Sequence, residues 1–244
     1  MSSPGAKRAL VTGGSGGIGA AICKRLARDG HYVYVHANHS VEVASAVVSE
    51  IAAAGGQAQT ISFDVTDADA TRLSLEIVLN EGPIQILVNN AGIHDDAVFP
   101  GMSPEKWHRV INTSVDGFFN VTQPLMMPMI RTRWGRIINT SSVTALTGNR
   151  GQVNYAAAKG ALNAATKSLA LEVASRGITV NAIAPGIIAT PMSESVFDAE
   201  TIARMVPMKR AGLPEEVAGL VAYLASDEAG YVTAQVISIN GGMI

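Results

Sequence analysis

Cysteine is almost absent from this chain of 244 residues, which contains Cys23 alone. One thiol cannot form an internal disulfide, so the sequence excludes a small scaffold held together by disulfides. No cluster of Cys and His has the spacing of zinc ligands, and we therefore predict no metal site. Cys23 falls in the first helical pattern, where a small apolar side chain is most simply buried.

Charge is also scarce, since 16% of the residues are charged and the net charge is −2. This balance gives no reason to expect nucleic acid or an anionic membrane as a partner. No apolar run is long enough to span a bilayer. The stretch MSSPGAKRAL at the beginning lacks the apolar segment and the cleavage site of a signal peptide. We expect a soluble, cytoplasmic protein.

What the chain does contain is a hydrophobic fraction of 48%, arranged in short apolar runs that alternate with longer helical patterns. Near-continuous apolar strands separated by helices are typical of a parallel sheet covered on both faces. The predicted fold class is α/β, with a single doubly wound parallel sheet of about seven strands in one domain, 1–244. The irregular stretch 184–213 is interpreted as a substrate loop. Strands are predicted near 8–12, 31–36, 58–63, 84–89, 135–140, 178–183 and 236–240, and helices near 18–29, 41–54, 67–80, 104–130, 152–175 and 214–225.

A glycine-rich turn joins the first strand to the first helix. Gly13, Gly17 and Gly19 give the pattern T-G-x-x-x-G-x-G, one residue longer than the common dinucleotide fingerprint. Glycines let the backbone approach a pyrophosphate, whose charge suits the free N–H groups at the start of a helix. A flexible loop is the plain alternative, but the strand–turn–helix context favours dinucleotide binding on a Rossmann-like sheet. Ser15 and Ile18 in the same segment are further candidate cofactor contacts.

The end of the second strand, VYVHANHS, carries no Asp or Glu. An acid there accepts from the ribose 2′-OH of NAD and repels a 2′-phosphate, so its absence favours NADP. Asn38, His39 and Ser40 offer hydrogen-bond donors for that phosphate. The alternative is an ordinary polar loop in which His36 or His39 is simply exposed. The turn also lacks an Arg to clamp the phosphate, since position 16 is Gly.

The run YAAAKGALNAATKSLALEV is rich in Ala and predicts a helix. Tyr155 and Lys159 are four residues apart in it and share one face. A phenol beside an ammonium suits proton transfer. From this pair alone, an ordinary helix with one aromatic residue and one surface Lys is the more frequent explanation.

Seven short motifs follow one another along the chain: TGGSGGIG (12–19), DV (64–65), NNAG (89–92), SS (141–142), YAAAK (155–159), NAIAPG (181–186) and Thr190. In this order they resemble the motifs of the short-chain dehydrogenase/reductase family and cover nearly the whole chain. Within the family, GNRGQVNYAAAKGAL, EVASRGITVNAIAPGII and the ending INGGMI are most similar to reductases of 3-oxoacyl groups on acyl carrier protein. The resemblance implies an NADPH-dependent oxidoreductase of fatty-acid or polyene-type biosynthesis.

The resemblance also implies the catalytic residues. Tyr155 gives a proton to the carbonyl oxygen of the substrate, Ser142 orients that oxygen, and Lys159 lowers the pKa of the phenol and binds the ribose. The family usually has an Asn on the helix after the fourth strand, where it holds a water of the proton relay. Ser114 takes that position in INTSVDGFFNV. Asn112 is two residues earlier and points about 200° away on a helix, so it does not substitute directly.

Further cofactor contacts follow from the same resemblance. Each of these residues also suits a plain turn, and Asn90-Ala91-Gly92 is a turn by composition in any case. The adenine is expected beside Asp64 and Val65, the adenine ribose beside Asn90, Ala91 and Gly92, and the nicotinamide beside Pro185, Gly186, Ile188 and Thr190.

The substrate and the partners are less determined by the sequence. Arg133 and Arg176 match basic positions that dock the acidic carrier protein in related reductases, at the mouth of the cleft. Ordinary solvated arginines are an equal alternative. Reduction of acetoacetyl-CoA or another ketone also fits, and so does a catalytically idle nucleotide-binding subunit, although the intact catalytic set argues against the latter. The family further implies a homotetramer through the helices near 104–130 and 152–175 and through the last strand.

Overall fold

Residues 6–190 and 198–244 are described by the computed structural model. Within these ranges, parallel strands form one seven-stranded sheet in the order β3-β2-β1-β4-β5-β6-β7, which confirms the predicted fold class. The chain reverses its direction of travel across the sheet between β1 and β4, and ligands of open α/β sheets bind at this switch point. The strands are β1 Arg8–Val11, β2 Tyr32–Ala37, β3 Gln57–Ser62, β4 Ile86–Asn89, β5 Gly135–Thr140, β6 Ile178–Pro185 and β7 Val236–Ile239.

Helices cover both faces of the sheet. They are α1 Gly17–Arg28, α2 Val41–Ala53, α3 Ala68–Asn80, α4 Pro104–Ile111, α5 Gly117–Thr132, α6 Thr144–Thr147, α7 Val153–Val173, α8 Ala199–Met205 and α9 Pro214–Ala225. One face packs against α1, α2 and α9, and the other packs against α3, α5 and α7. None of the helices within the described ranges is long and apolar enough to cross a membrane.

Each central strand contributes to both hydrophobic cores because successive side chains point to opposite faces. On β1, Ala9 and Val11 lie in the core under α1 and α9, whereas Leu10 lies in the core under α3 and α5. On β5, Ile138 and Ile137 divide in the same way, and all five side chains are inaccessible to solvent. Burial on both faces therefore explains why these strands read as continuous apolar runs.

Two elements differ from the prediction. The helix expected over 104–130 is split into α4 and α5 by a π-helical turn, Asn112–Asp116. Such turns insert one extra residue and are frequent at functional sites. The irregular stretch 184–213 is also more regular than expected, because β6 continues to Pro185 and α8 lies within the stretch. Residues 191–197 of this predicted loop lie outside the described residues.

Buried amides connect the sheet to α5 and α7. Asn89 and Asn139 are register partners on β4 and β5. Asn89 Nδ2 donates to Asn139 Oδ1 at 2.9 Å and to Thr122 Oγ1 at 3.0 Å. Asn139 Nδ2 donates to Thr166 Oγ1 at 2.8 Å, and the Thr166 hydroxyl donates to the carbonyl oxygen of Leu162 at 2.7 Å. This ladder fixes both helices against the ends of the two central strands.

Candidate active site

The glycine-rich turn lies at the carboxyl end of β1, and two glycines determine its shape. Gly13 has a φ of +62°, which favours glycine. A Cβ on Gly19 would lie 2.1 Å from the carbonyl oxygen of Gly13, so only glycine fits there. The N–H of Gly16 donates to the same oxygen at 3.2 Å. Because α1 begins at Gly17, the turn presents the first N–H groups of a helix at the switch point.

Thr12 and Asn90 brace this turn. Asn90 Nδ2 donates to the carbonyl oxygens of Thr12 and Gly13 at 3.0 and 3.2 Å. Thr12 Oγ1 accepts from the backbone N–H groups of Asn90 and Ala91, both at 3.0 Å. A Cβ on Gly92 would lie 3.1 Å from Lys159 Nζ. The NNAG motif therefore supports the turn and borders the predicted catalytic Lys.

These residues fit the pyrophosphate of a dinucleotide. Side chains at the glycine positions would fill the space that this turn encloses. A Cβ on Gly17 would lie 2.9 Å from the methyl carbon of Thr190, and a Cβ on Gly13 would lie 3.1 Å from the Cα of Ala91. The N–H groups at the start of α1 suit an anion. Ser15 and Ile18 are partly buried in the same segment.

The predicted 2′-phosphate contacts lie beyond the end of β2. Asn38, His39 and Ser40 are all exposed, whereas His36 is 2% exposed, so the alternative in which His36 is an exposed loop residue is wrong. Burial raises the pKa of Asp64, but hydrogen bonds from Thr66 and Asn38 outweigh it and hold this pKa below its usual range.

The predicted adenine contacts Asp64 and Val65 follow β3. Thr66 N–H donates to Asp64 Oδ1 at 2.8 Å. Val65 is buried, and a Cβ on Gly117 would lie 2.9 Å from its Cγ2. This close approach holds the start of α5 against the adenine side of the predicted site.

Ser142 and Tyr155 meet at the carboxyl edge of the sheet. Ser142 follows β5 by two residues and its Oγ accepts from Thr144 N–H at 3.1 Å. Tyr155 lies in the first turn of α7. Burial raises the pKa of Tyr155, the nearby Ser142 hydroxyl lowers it, and the nearby Asp96 carboxylate raises it. The pKa of Tyr155 is thus raised overall.

Lys159 lies one helical turn further along α7. Its Nζ is 5.6 Å from the centre of the Tyr155 ring and donates to the carbonyl oxygen of Thr140 at 2.8 Å. The side chain is 2% exposed, and burial lowers the pKa of Lys159 to about 8. Although Lys159 was expected to lower the pKa of Tyr155, this pKa is raised overall, because desolvation of the phenol is the dominant effect.

Ser114 occupies the middle of the π-helical turn between α4 and α5, which packs against α7. The residue is 3% exposed, and its Oγ has no hydrogen-bond partner within the described residues. The Thr140 Oγ1 is buried and unpartnered in the same sense. A buried hydroxyl without a hydrogen-bond partner lowers the stability of the fold, so its presence here indicates a role in the site.

The predicted nicotinamide contacts follow β6. The Pro185 carbonyl oxygen accepts from the N–H of Val143, next to Ser142, at 2.9 Å. A Cβ on Gly186 would lie 2.8 Å from the Cβ of Asn240. Ile188 is 5% exposed and pairs with Gly212. Together with Thr190 beside the glycine-rich turn, these residues lie at the same edge of the sheet as the catalytic set.

Arg133 and Arg176 lie elsewhere. They are exposed and precede β5 and β6, at the amino ends of these strands, and Arg133 Nη2 donates to the carbonyl oxygen of Ser175 at 3.2 Å. Ser142 follows the carboxyl end of β5. The expectation that both arginines border the mouth of the cleft is therefore wrong within one protomer, since they lie at the opposite edge of the sheet.

The structure adds residues that the sequence did not single out. Asp96 accepts from Gln152 Nε2 at 2.9 Å and lies 3.3 Å from His94 Nδ1, so a carboxylate borders Tyr155. Thr140 is the partner of Lys159. No group of three or more His, Cys, Asp or Glu in the described ranges is placed to hold a metal. Thr140 could have been identified from the sequence, because it ends a predicted strand of a parallel sheet. No motif or spacing in the sequence identifies Asp96.

The family model of the short chain dehydrogenases matches residues 7–201. The chain belongs to this family. It is an oxidoreductase.

Individual relatives match over almost their full length. The chain is 45% identical to 3-oxoacyl-[acyl-carrier-protein] reductase FabG of Aggregatibacter actinomycetemcomitans, over 96% of this chain and 98% of that protein. It is also 45% identical to nodulation protein G of Azospirillum brasilense, over 97% and 98%. A 3-oxoacyl-[acyl-carrier-protein] reductase of Synechocystis sp. is 44% identical, over 100% and 99%.

Proposed function

We propose that the protein reduces a 3-oxoacyl thioester on acyl carrier protein to the 3-hydroxyacyl thioester with NADPH. The observation that carries the proposal is the meeting of Ser142, Tyr155 and Lys159 beside a glycine-rich turn at one edge of the sheet. Relatives that are named for this reaction support the substrate.

When bound, NADPH supplies the hydride, and the chain supplies position and protons. The dinucleotide would be held by the glycine-rich turn together with Asp64, Asn90 and Thr190. Its 2′-phosphate would accept hydrogen bonds from Asn38, His39 and Ser40. The Ser142 hydroxyl donates to the carbonyl oxygen of the substrate and orients it. Tyr155 then gives its phenolic proton to that oxygen as negative charge develops.

The raised pKa of Tyr155 suits this direction of reaction, because it keeps the phenol protonated before transfer. The phenolate that remains is close to the Lys159 ammonium, which stabilises it. Lys159 is buried and its Nζ donates to Thr140. A proton must therefore return to it through the protein interior, and Ser114, with its unpartnered hydroxyl, is proposed to hold a water of that path.

The substrate is tested by following NADPH oxidation through the loss of reduced-nicotinamide absorbance. We expect acetoacetyl-carrier protein to give the highest kcat/KM, acetoacetyl-CoA a lower one, and a simple cyclic ketone the lowest. A preference for the CoA thioester would favour an acetoacetyl-CoA reductase. No turnover with any of them, despite tight NADPH binding, would identify an idle partner subunit. A long-chain polyunsaturated acyl carrier substrate separates polyene-type from ordinary fatty-acid biosynthesis.

A homotetramer is proposed from the outward faces of α5 and α7. Phe119, Met127, Val153 and Leu171 expose large apolar side chains there, and Leu171 is 82% exposed. Exposed apolar side chains on two helices that cover the same face of the sheet suit a contact with another copy of the chain. Light scattering after size-exclusion chromatography tests this state, and Leu171→Glu is expected to lower the measured mass.

This assembly also bears on carrier docking. Tyr155 lies near the start of α7, and Arg176 follows its end. If α7 of two copies pack antiparallel across a two-fold axis perpendicular to them, Arg133 and Arg176 of one copy approach the site of the other. Carrier protein then docks on arginines that a neighbouring protomer supplies, in the cytoplasm, where we place the enzyme.

Charge reversal tests the docking. Arg133→Glu with Arg176→Glu is expected to raise KM for acetoacetyl-carrier protein about tenfold and to leave a small N-acetylcysteamine thioester unchanged. Arg28→Glu, exposed at the end of α1, is the control. Equal effects on both substrates would reject carrier docking at these arginines.

A further inference from the structure

His36 connects the glycine-rich turn to β3. It is the penultimate residue of β2 and is 2% exposed. Its Nδ1 lies 3.1 Å from the backbone nitrogen of Gly13, and its Nε2 lies 2.9 Å from the carbonyl oxygen of Phe63. The carbonyl oxygen of His36 accepts from Gly14 N–H at 2.8 Å. One residue thus holds the turn through both its side chain and its backbone.

The two partners determine the state of the imidazole. A backbone N–H only donates, so Nδ1 must carry a lone pair towards Gly13, and a carbonyl oxygen only accepts, so Nε2 must carry the proton towards Phe63. The ring is therefore neutral and has one tautomer. Its centre also lies 4.2 Å from that of the Phe63 ring.

The surroundings favour this neutral ring. Burial lowers the pKa of His36 to about 4, against smaller opposing effects of the Phe63 carbonyl and the Asp64 carboxylate. Residues 12–16 of the turn and Gln57–Ser62 of β3 carry no titratable side chain. Asp64 is the titratable group that acts on His36, and His39, three residues further along the chain, is exposed.

Gly13 is the point on which the turn depends. Its carbonyl oxygen is fixed by Gly16 N–H and Asn90 Nδ2, both at 3.2 Å, and is the atom that excludes any side chain from Gly19. Its N–H is fixed by His36 alone among the hydrogen bonds of the described residues. Loss of the imidazole acceptor would free one side of a glycine that already has a positive φ.

We propose that His36 is a positioning residue of the dinucleotide site, in which its neutral imidazole holds Gly13 and thereby keeps the glycine-rich turn in the shape that receives a pyrophosphate. The proposal rests on the proposed use of NADPH. It concerns affinity for the cofactor and not the proton transfer, because His36 lies on β2 and the catalytic set on α7 and after β5.

The test compares NADPH affinity, measured from the fluorescence of the bound nicotinamide near neutral pH, in wild type and three variants. His36→Leu removes the acceptor, and His36→Gln replaces it with an amide that offers an acceptor oxygen and a donor NH2 group. His31→Leu is the matched control, because His31 Nδ1 also accepts a backbone N–H, from Lys7 at 3.3 Å, at the other end of β2.

We expect His36→Leu to raise the Kd for NADPH about tenfold or more, with kcat at saturating NADPH changed by less than about threefold. His36→Gln should recover most of the affinity, and His31→Leu should keep all of it. A wild-type Kd in folded His36→Leu, or an equal loss in His31→Leu, would overturn the proposal. Failure of wild type to bind NADPH would instead reject the proposed function.

Wild type alone provides a second test if His36→Leu does not fold. Nitrogen-15 NMR of labelled histidine should show His36 as the neutral Nε2–H tautomer at neutral pH. Below neutral pH, the Kd for NADPH should rise in step with protonation of His36. An imidazolium at neutral pH, or a Kd that stays constant while His36 titrates, would overturn the proposal.

Discussion

Lys159 donates its ammonium hydrogen to the backbone carbonyl oxygen of Thr140, the last residue of β5, at 2.8 Å. This bond joins the helix that carries Tyr155 to the strand that leads to Ser142. Tyr155 and Lys159 thus lie on a helix that is tied to a central strand, which favours a fixed geometry. The bond also gives an acceptor to a buried cation that has no carboxylate partner among the residues that the structure describes.

Tyr155→Phe should bind NADPH with wild-type affinity and lose turnover about a hundredfold or more, because the phenyl ring keeps the packing and lacks the transferable proton. Steady-state kinetics and a cofactor titration measure the two effects separately. Tyr231→Phe, fully exposed, is the control. Retention of more than about a tenth of the rate, a cost below ~1.4 kcal/mol, would refute Tyr155 as the acid.

Lys159→Met should abolish turnover and yet stabilise the fold. Burial lowers the pKa of Lys159 from 10.5 to about 8, so the unfolded chain binds more protons between these values and wild-type stability rises with pH across this window. Below pH 8 the buried ammonium has its full cost. Met removes this cost and the bond to Thr140, and we expect a net gain of about 1 kcal/mol at neutral pH.

Urea unfolding of wild type and Lys159→Met, at neutral pH and again at about pH 10, measures this difference. About pH 10 is chosen because it lies above the lowered pKa of Lys159 in the folded protein and close to the usual pKa of Lys in the unfolded chain. The gain should shrink at the higher pH, where wild type has lost the penalty. A Met variant that is less stable at both pH values would show that the bond to Thr140 outweighs the desolvation of the ammonium.

Ser114→Ala should lower kcat about three- to tenfold, and Ser114→Asn should restore or exceed the wild-type value, because an amide reaches further and adds a carbonyl acceptor for a relay water. Thr113→Ala is the control on the same π-helical turn, since the Thr113 hydroxyl donates to the carbonyl oxygen of Arg109. If Ser114→Ala leaves kcat unchanged at every pH, the position is structural and the relay runs elsewhere.

Ala37→Asp should shift cofactor preference towards NADH, as measured by the ratio of kcat/KM for the two cofactors. Ala37 is the last residue of β2, where a carboxylate accepts from a ribose 2′-OH and repels a 2′-phosphate. We expect a change of about tenfold or more in the ratio. Ala54→Asp adds the same charge on an exposed site at the end of α2. A wild-type preference for NADH would contradict the NADP assignment.

The strands of the sheet could be predicted from the sequence, because strands that are buried on both faces are continuous apolar runs. The strands at 135–140 and 178–183 were placed within two residues of β5 and β6. The π-helical turn at Asn112–Asp116 was not readable, since its side chains continue a helical pattern and only the backbone hydrogen bonds differ. The helix α8 was missed for a different reason, because the prolines and glycines around it indicate a loop.

The candidate site was predictable as a set of motifs but not in its electrostatics. Spacing placed Tyr155 and Lys159 on one helix face, and the structure brings them to the same edge as Ser142. The direction of the pKa shift of Tyr155 was not predictable, because it depends on burial by residues distant in sequence and on Asp96. Arg133 and Arg176 precede the strands predicted at 135–140 and 178–183, so the sequence already placed them at the amino ends, and the expectation drawn from related reductases did not use this.

The ladder from Asn89 through Asn139 to Thr166 acts as a check on how the sheet assembles. If β5 slipped by one residue against β4, every side chain of β5 would turn to the opposite face. Asn139 would then lie on the other face without its native partners, and Asn89 would keep only Thr122, at about 1–3 kcal/mol for each unsatisfied group. The native ladder adds little net stability by comparison. Its main effect is to make misaligned pairings of β4 and β5 unfavourable while the sheet assembles. The alignment matters here because the active site lies at the ends of these central strands.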